Sequence, residues 1–235
     1  MTKLGIIGAM EIEVAILKGK LEDQKVTKVG PMEFFEGKLA GCDVVIVMCG
    51  VGKVHAAMCT QVLCSNFGVT HIVNTGVAGS LDAQLDICDV LVSTDAVQHD
   101  MDVHYLGYEV GWVPGLNTTA FAADERLRQL AFEESERIRP GHTRLGRVAT
   151  GDQFVCSEEQ RAKIIADTGA GCTEMEGAAI AQVAYVNQVP FVILRAISDK
   201  ADGSAEMDYP TFERQAAHRC ANVTMALAGA LKASQ

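Results

Sequence analysis

No long basic run occurs in this chain: 20 Lys and Arg stand against 30 Asp and Glu, for a formal charge of −10 at pH 7. Nucleic acid and anionic membrane surfaces are polyanions, so this balance argues against either as a partner. No apolar stretch approaches the roughly 20 residues that cross a bilayer. The opening segment Met1-Thr2-Lys3-Leu4-Gly5-Ile6-Ile7-Gly8 turns polar too soon for a signal peptide and is expected to form the first strand of a cytoplasmic protein. The 8 cysteines include no C-x-x-C pair, and the 6 histidines no pair at helical spacing. A zinc site or a disulfide framework is therefore unsupported, and reduced, buried thiols are expected. His99 and His104 lie near Asp100 and Asp102 in a loop, but their spacing is a weak metal signal. No Gly/Ser-rich linker or low-complexity tract interrupts the 235 residues, which predicts one domain.

What is present is a large apolar fraction, 49%, arranged in short runs. Strand-like runs recur at Leu4–Gly8, Phe34–Leu39, Asp43–Cys49, His71–Thr75, Val90–Thr94, Arg147–Thr150 and Phe191–Ile197. Helical patterns fall at Glu11–Lys20, Lys53–Ser65, Asp124–Arg137, Ser157–Asp167, Glu176–Asn187 and Thr211–Leu231. Ser157 with Gln160, and Thr173 with Glu176, fit the capping-box pattern. The alternation predicts an α/β protein with a mostly parallel sheet covered on both faces. The stretch Gln98–Phe121 breaks the regularity; it holds Tyr105, Tyr108 and the single Trp, Trp112, among glycines and Pro114. Long loops with aromatic anchors are usually functional or sit at interfaces.

Four segments carry candidate chemistry. The run Phe191–Asp199 is apolar and partly β-branched, then ends in Arg195, Ser198 and Asp199. It reads as a buried parallel strand delivering polar groups at its carboxyl end, where open α/β sheets bind ligands. Apolar surroundings there raise a carboxyl pKa, so Asp199 is a candidate general acid. The bland alternative is a surface loop with Asp199 as a cap. In Gly5-Ile6-Ile7-Gly8-Ala9-Met10-Glu11-Ile12-Glu13 a strand turns into a helix bearing two carboxylates. Glu13 there either favours the helix dipole or does chemistry. The glycines do not form G-x-G-x-x-G, so no dinucleotide fingerprint is present. Asn74-Thr75-Gly76-Val77-Ala78-Gly79-Ser80 allows close backbone approach to a ligand, or simply a tight turn. Thr173-Glu174-Met175-Glu176 either caps a helix or presents a carboxylate to a sugar hydroxyl. Together these segments describe a pocket with three carboxylates and few cations. It suits a neutral or cationic ligand, or a reaction developing positive charge. Glycosidic cleavage through an oxocarbenium-like state needs one carboxylic acid toward the leaving group and one carboxylate toward water.

In this order, the four segments G-I-I-G-A-M-E-x-E, T-G-x-A-G, E-M-E-x-A-A-I-A and R-A-I-S-D closely resemble the 5′-methylthioadenosine/S-adenosylhomocysteine nucleosidase family. That family lies within the purine nucleoside phosphorylase/uridine phosphorylase superfamily, and the likeness spans essentially the whole chain. It implies a single-domain, three-layer αβα fold with a central mixed, mostly parallel twisted sheet. It implies cofactor-free hydrolysis serving methionine salvage and the methyl cycle. By the same resemblance Asp199 donates a proton to N7 of adenine, Ser198 orients that carboxyl group, Glu13 activates water and Glu176 holds a ribose hydroxyl. Arg195 helps place the water and the acidic groups. Phe154 stacks on adenine, the backbone of Val155 reads its edge, and Met175 packs on the ribose. Met10, Val51 and Tyr209 line the sugar and alkylthio region. Val103, Leu106, Tyr108 and Pro114 match a loop that completes the 5′ pocket, partly from the neighbouring subunit of a homodimer. Two positions depart from the family: Val77 stands where a Ser often contacts the water, and Leu106 where a Phe is frequent.

Two rival functions stay open at the level of sequence. A phosphate-dependent nucleoside phosphorylase needs arginines in the early glycine turn, where this chain has Ala9, Met10 and Glu11, and a glutamate at the water position repels phosphate. A catalytically silent nucleoside-binding protein could share the fold, but the acid, the base and the ribose carboxylate argue against it. Among substrates, the 5′ substituent is not ranked, and 5′-deoxyadenosine and 6-amino-6-deoxyfutalosine belong to the same range.

Overall fold

The computed structural model describes residues 2–234. In chain order it runs β1 (Lys3–Gly8), α1 (Glu11–Lys18), β2 (Glu22–Val29), β3 (Met32–Leu39), β4 (Cys42–Met48), α2 (Lys53–Asn66), β5 (His71–Ser80) and β6 (Val90–Gln98). A single 3₁₀ turn (His104–Leu106) follows, then β7 (Ala120–Ala122), α3 (Glu125–Ile138), β8 (Thr143–Thr150), α4 (Glu158–Thr168), β9 (Cys172–Glu174), α5 (Gly177–Val186), β10 (Phe191–Asp199) and α6 (Ala205–Ala233). No described helix is long and apolar enough to cross a membrane.

The period-two pattern of the central strands explains the layers. In β1, Leu4 and Ile6 face one core while Ile7 faces the other; in β10, Val192 and Leu194 oppose Ile193. A strand apolar on both sides must be covered on both sides. One cover is α2 and α5, through Cys59, Leu63, Ile180 and Ala184. The other is α1, α3 and α6, through Val14, Leu17, Leu127, Ala216 and Leu227. Each buried Val, Leu or Ile contributes about 1.5–3 kcal/mol relative to exposure. The expected αβα layering is therefore present, and the sheet is mixed. The ladders β1–β4, β1–β5, β5–β10, β6–β8 and β8–β9 are parallel. The ladders β2–β3, β3–β4, β5–β9, β6–β7 and β6–β10 are antiparallel.

The sheet also closes on itself. β5 pairs with β10, β10 with β6, β6 with β8, β8 with β9, and β9 returns to β5. The closing strand is only three residues long, Cys172-Thr173-Glu174, too short to show a period in sequence. It also corrects the capping-box expectation. Thr173 lies inside β9, and Glu176 occupies the N-cap position of α5 without a side-chain cap bond. Glu174 does the capping instead, accepting the Glu176 N–H at 3.1 Å and the Gly177 N–H at 2.8 Å. The strand pairing holds Thr173 away from the helix end that its hydroxyl was expected to reach. At α4 the cap half of the pattern is present: Ser157 Oγ accepts the Gln160 N–H at 3.3 Å.

β2 was not expected, because Glu22–Val29 is mostly polar and exposed; it is an outer strand paired only to β3 through a turn at Gly30. α6 begins at Ala205, not at Thr211, and carries Pro210 within its second turn. All eight cysteines are free thiols.

Candidate active site

The carboxyl ends of the parallel strands β1, β5 and β10 meet the short strand β9 and the starts of α1 and α5 around one cavity of about 580 Å³, open mouth included. Twelve of the sequence-nominated residues line it: Met10, Glu13, Val51, Val77, Phe154, Val155, Met175, Glu176, Arg195, Ser198, Asp199 and Tyr209. Val103, Leu106, Tyr108 and Pro114 do not line the cavity of this single chain. Leu106 is 71% exposed, and Tyr108 stacks on Trp112 with ring centroids 5.1 Å apart.

Glu13 is buried and held by backbone. Its Oε2 accepts the N–H groups of Ala9 at 2.7 Å and Met10 at 3.0 Å, and its Oε1 accepts that of Val77 at 3.0 Å. The helix-dipole reading is thus incomplete, since the carboxylate turns inward and ties β1 to β5. Burial raises its pKa, against the lowering pull of Arg195 and of those three N–H groups. Asp199 is also buried. Its Oδ1 accepts the Ala201 N–H at 2.8 Å and its Oδ2 the Ser198 hydroxyl at 2.8 Å. Burial again dominates and raises its pKa, against the lowering pull of the Ala201 N–H and the Ser198 hydroxyl. A register shift between Ile197 and Asp199 in the β5–β10 ladder sets this end of β10 off the regular pleat.

Arg195 is the hub. Its Nη2 donates to Glu174 and, at 2.5 Å, to Asn74 Oδ1, while Nη1 donates to the Val77 carbonyl at 3.1 Å. Glu176 Oε2 lies 3.5 Å from Nη2, and Glu13 Oε1 lies 3.9 Å from Nη1. Asn74 is fixed in turn by donating to the Ile7 carbonyl at 3.0 Å. Glu176 Oε1 accepts the Gly52 N–H at 2.8 Å. Its pKa is pushed up to about 7, by burial first and the Glu174 charge second, with Arg195 and Gly52 pulling the other way.

Sequence reasoning counted three carboxylates and few cations; the cavity has four, because Glu174 joins Glu13, Glu176 and Asp199. Glu174 was visible beside Met175, but its role depends on a buried arginine arriving from another strand. Asn74 and Thr150, whose hydroxyl donates to Glu174, were missed for the same reason. Thr173 lines the cavity with a buried Oγ1 that has no hydrogen-bond partner.

The glycines of Thr75–Gly79 have specific causes. A Cβ on Gly76 would collide with Arg195 Nη1 and Glu13 Oε1, and one on Gly79 would sit 2.7 Å from Asp199 Oδ1. Removing both side chains lets buried polar groups lie directly against β5. On the mouth side Tyr209 donates to Met10 Sδ at 3.3 Å, and Phe154 meets the Tyr209 ring edge-on at 5.6 Å. The cavity therefore pairs an apolar, aromatic entrance with a carboxylate-rich floor. Among the described residues no cluster of His, Cys, Asp and Glu is arranged to hold a metal ion.

The chain is similar to known proteins along nearly its whole length. The profile of the Phosphorylase superfamily matches residues 3–229. The chain is 40% identical over 227 residues to the 5′-methylthioadenosine/S-adenosylhomocysteine nucleosidase of Glaesserella parasuis, covering 96% of this chain and 97% of that protein. It superimposes on the Neisseria meningitidis enzyme of the same name, crystallised with methylthio-immucillin-A, with a TM-score of 0.95 at 35% identity, covering 98% of this chain and all of that one. A futalosine hydrolase of Helicobacter pylori aligns with a TM-score of 0.91 at 33% identity, over 96% and 97% of the two chains.

Two outcomes follow from the geometry. Gly76→Ala forces apart Arg195 and Glu13, and thermal denaturation should show a loss of about 1–3 kcal/mol, the usual cost of overpacking a buried site; an unchanged midpoint would contradict the close approach. A carboxyl group whose folded pKa lies above its unfolded value stabilises fully below the unfolded value and loses that contribution as pH rises through the folded one. Glu176 titrates in that sense between its ordinary value of 4.5 and about 7. Glu176→Gln should therefore flatten the fall in melting temperature across that window, as read by scans at pH 4.5, 6 and 7.5.

Proposed function

The chain belongs to the phosphorylase superfamily and, within it, to the 5′-methylthioadenosine/S-adenosylhomocysteine nucleosidases, and on that footing we propose that it hydrolyses the N-glycosidic bond of 5′-methylthioadenosine and S-adenosylhomocysteine. The products are adenine and the 5′-substituted ribose, and 5′-deoxyadenosine falls within the same range. The observation that carries this reading is the convergence of two buried carboxyl groups, Glu13 and Asp199, both raised in pKa by burial, on one cavity with Glu176.

In this mechanism Asp199 enters protonated and gives its proton to N7 of adenine, so the base departs neutral. The Ser198 and Ala201 hydrogen bonds aim the carboxyl group. Glu13, ionised, takes the proton of the attacking water. Glu176 accepts from a ribose hydroxyl, and its charge favours the cationic sugar over the neutral one, which is binding realised in the transition state. Arg195 fixes the positions of Glu13 and Glu176 through its two terminal nitrogens. Phe154 stacks on the base, the Val155 backbone reads its edge, and Met175 packs on the sugar. Met10, Val51 and Tyr209 form the apolar slot for the alkylthio group. Val77 supplies its backbone to Glu13 and offers the water no hydroxyl.

Hydrolysis is favoured over phosphorolysis by charge. The only cation among the described residues that line the cavity is Arg195, already bonded to Glu174 and flanked by two further carboxylates. A phosphate dianion entering there meets net negative potential.

A homodimer completes the site in this reading. Val51, Val54 and Met58 around the start of α2, and Tyr105, Leu106 and Tyr108 on the long loop, are exposed apolar side chains. Such surface is costly in water and marks an interface. The partner's loop, with Val103, Leu106, Tyr108 and Pro114, would close the 5′ end of the slot.

Asp199→Asn and Glu13→Gln should each lower kcat by about 10²–10⁴-fold while remaining folded. Adenine release is the readout, and it should not rise with added phosphate or yield ribose 1-phosphate; near wild-type kcat in Asp199→Asn would remove it as the acid. Leu106→Asp should shift sedimentation toward the monomer and raise KM for 5′-methylthioadenosine; a monodisperse wild-type monomer would end the dimer proposal.

A further inference from the structure

The floor of the cavity does not balance its charge. Glu13, Glu174 and Glu176 surround Arg195, all four being buried. Fully ionised, three carboxylates and one guanidinium sum to −3 + 1 = −2 in a water-poor site. The carboxylates do not share the arginine equally. Glu174 is bonded to Nη2 directly, and it also accepts the Thr150 hydroxyl and the N–H groups of Glu176 and Gly177. All of these contacts donate to the Glu174 carboxyl oxygens and hold it against the guanidinium. Glu13 and Glu176 stand farther from the guanidinium, at 3.9 and 3.5 Å.

We propose that Glu174 is a positioning residue which locks the Arg195 guanidinium and absorbs its charge, so that the Glu13–Glu176 pair shares one proton in the ligand-free protein and gives it up when positive charge arrives on the sugar. The inference rests on the nucleosidase reading of the cavity. It deepens that reading by adding a charge-setting group beneath the residues that meet the substrate.

The other groups facing the pair do not supply the missing charge. Cys49 after β4 and Cys220 on α6 have thiols raised by burial, and the Tyr209 phenol is likewise raised, so all three stay neutral. Asp199 on β10, its pKa raised by burial, is an acid and adds no cation. His99, at the end of β6, is lowered by burial and is neutral near pH 7. Lys53, at the start of α2, is engaged by Asp100 at 2.6 Å and Gln98 at 3.2 Å. Gly52 contributes only its N–H to Glu176. Two buried carboxylates that flank one guanidinium, at 3.9 and 3.5 Å, with a third bonded to it, titrate as a pair, and the loss of a proton belongs to the pair as a whole. The consequence is functional: the competent form is the one with both groups ionised, and ionisation is favoured as the sugar becomes cationic. The proton leaves to solvent, and no bond other than O–H is broken.

The test is calorimetric and uses the full-length protein. A 5′-methylthio adenine analogue with a cationic iminoribitol ring and an uncharged analogue are each titrated at pH 6 in two buffers of unlike ionisation enthalpy. The cationic analogue should release about one proton to the buffer, and the uncharged one distinctly less. Equal or zero release for both would overturn the inference while leaving the nucleosidase reading intact. Failure of either analogue to bind would remove that reading and this inference with it. Glu174→Gln supplies the second arm. With one negative charge fewer, the acid limb of its kcat/KM profile should move to lower pH and its proton release should shrink. A role in folding alone would lower the melting temperature and leave the acid limb where it is in the wild type, and that result would also overturn the proposal.

Discussion

A fully buried guanidinium dictates how this site is built. Burying a charge is strongly unfavourable unless it is paired and hydrogen-bonded. Arg195 meets that requirement by drawing Asn74 from β5, Glu174 from β9, Glu13 from α1 and Glu176 from the start of α5 into contact range. β9 and the start of α5 are one stretch of chain, distant in sequence from β5 and α1, so the arginine on β10 acts as a staple among three other segments. Its value to the molecule is specificity of arrangement more than stability, because the desolvation cost offsets much of the Coulomb gain. One arginine among three glutamates also leaves negative charge uncompensated where a sugar would develop positive charge.

The surrounding fold supplies the conditions for that chemistry. Parallel strands covered on both faces bury their carboxyl ends, and burial raises the pKa of whatever carboxyl groups emerge there. Glu13 and Asp199 are both raised by this cause. Backbone contributes as much as side chains: Ala9, Met10 and Val77 hold Glu13, Ala201 holds Asp199, and Gly52 holds Glu176. The floor is consequently held by the protein's own groups, and fixed donors and charges are what make electrostatic stabilisation effective in a transition state. The mouth, by contrast, is formed by Phe154, Tyr209 and Met10, large and adaptable side chains suited to a thioether tail.

Much of this was legible in the chain because local rules applied. Alternating apolar strands and amphipathic helices announce a covered α/β sheet, and the polar termination of Phe191–Asp199 marks Asp199 as a candidate acid. The errors share one cause. β9 has three residues, and the polar β2 has no apolar signal, so neither produces a period. The Thr173–Glu176 capping box failed because strand pairing claimed Thr173 first, leaving Glu174 to satisfy the helix start. Glu174 itself was in plain view, yet nothing local distinguishes it from a solvated acid.

The amino-acid order fixes which strands and helices can form, because hydrophobic period and turn chemistry act over neighbours a few residues apart. It also carries the four segments whose joint resemblance identified the family. Closure of the sheet through β9 lies beyond that range, as do the fit of Gly76 and Gly79 beneath buried carboxylates and the gathering of three glutamates on one arginine. Each is a contact between residues far apart in the chain, formed when the two faces of the sheet are covered and water is expelled. Burial and partner then set the charge of each group, and neither exists until the chain has folded.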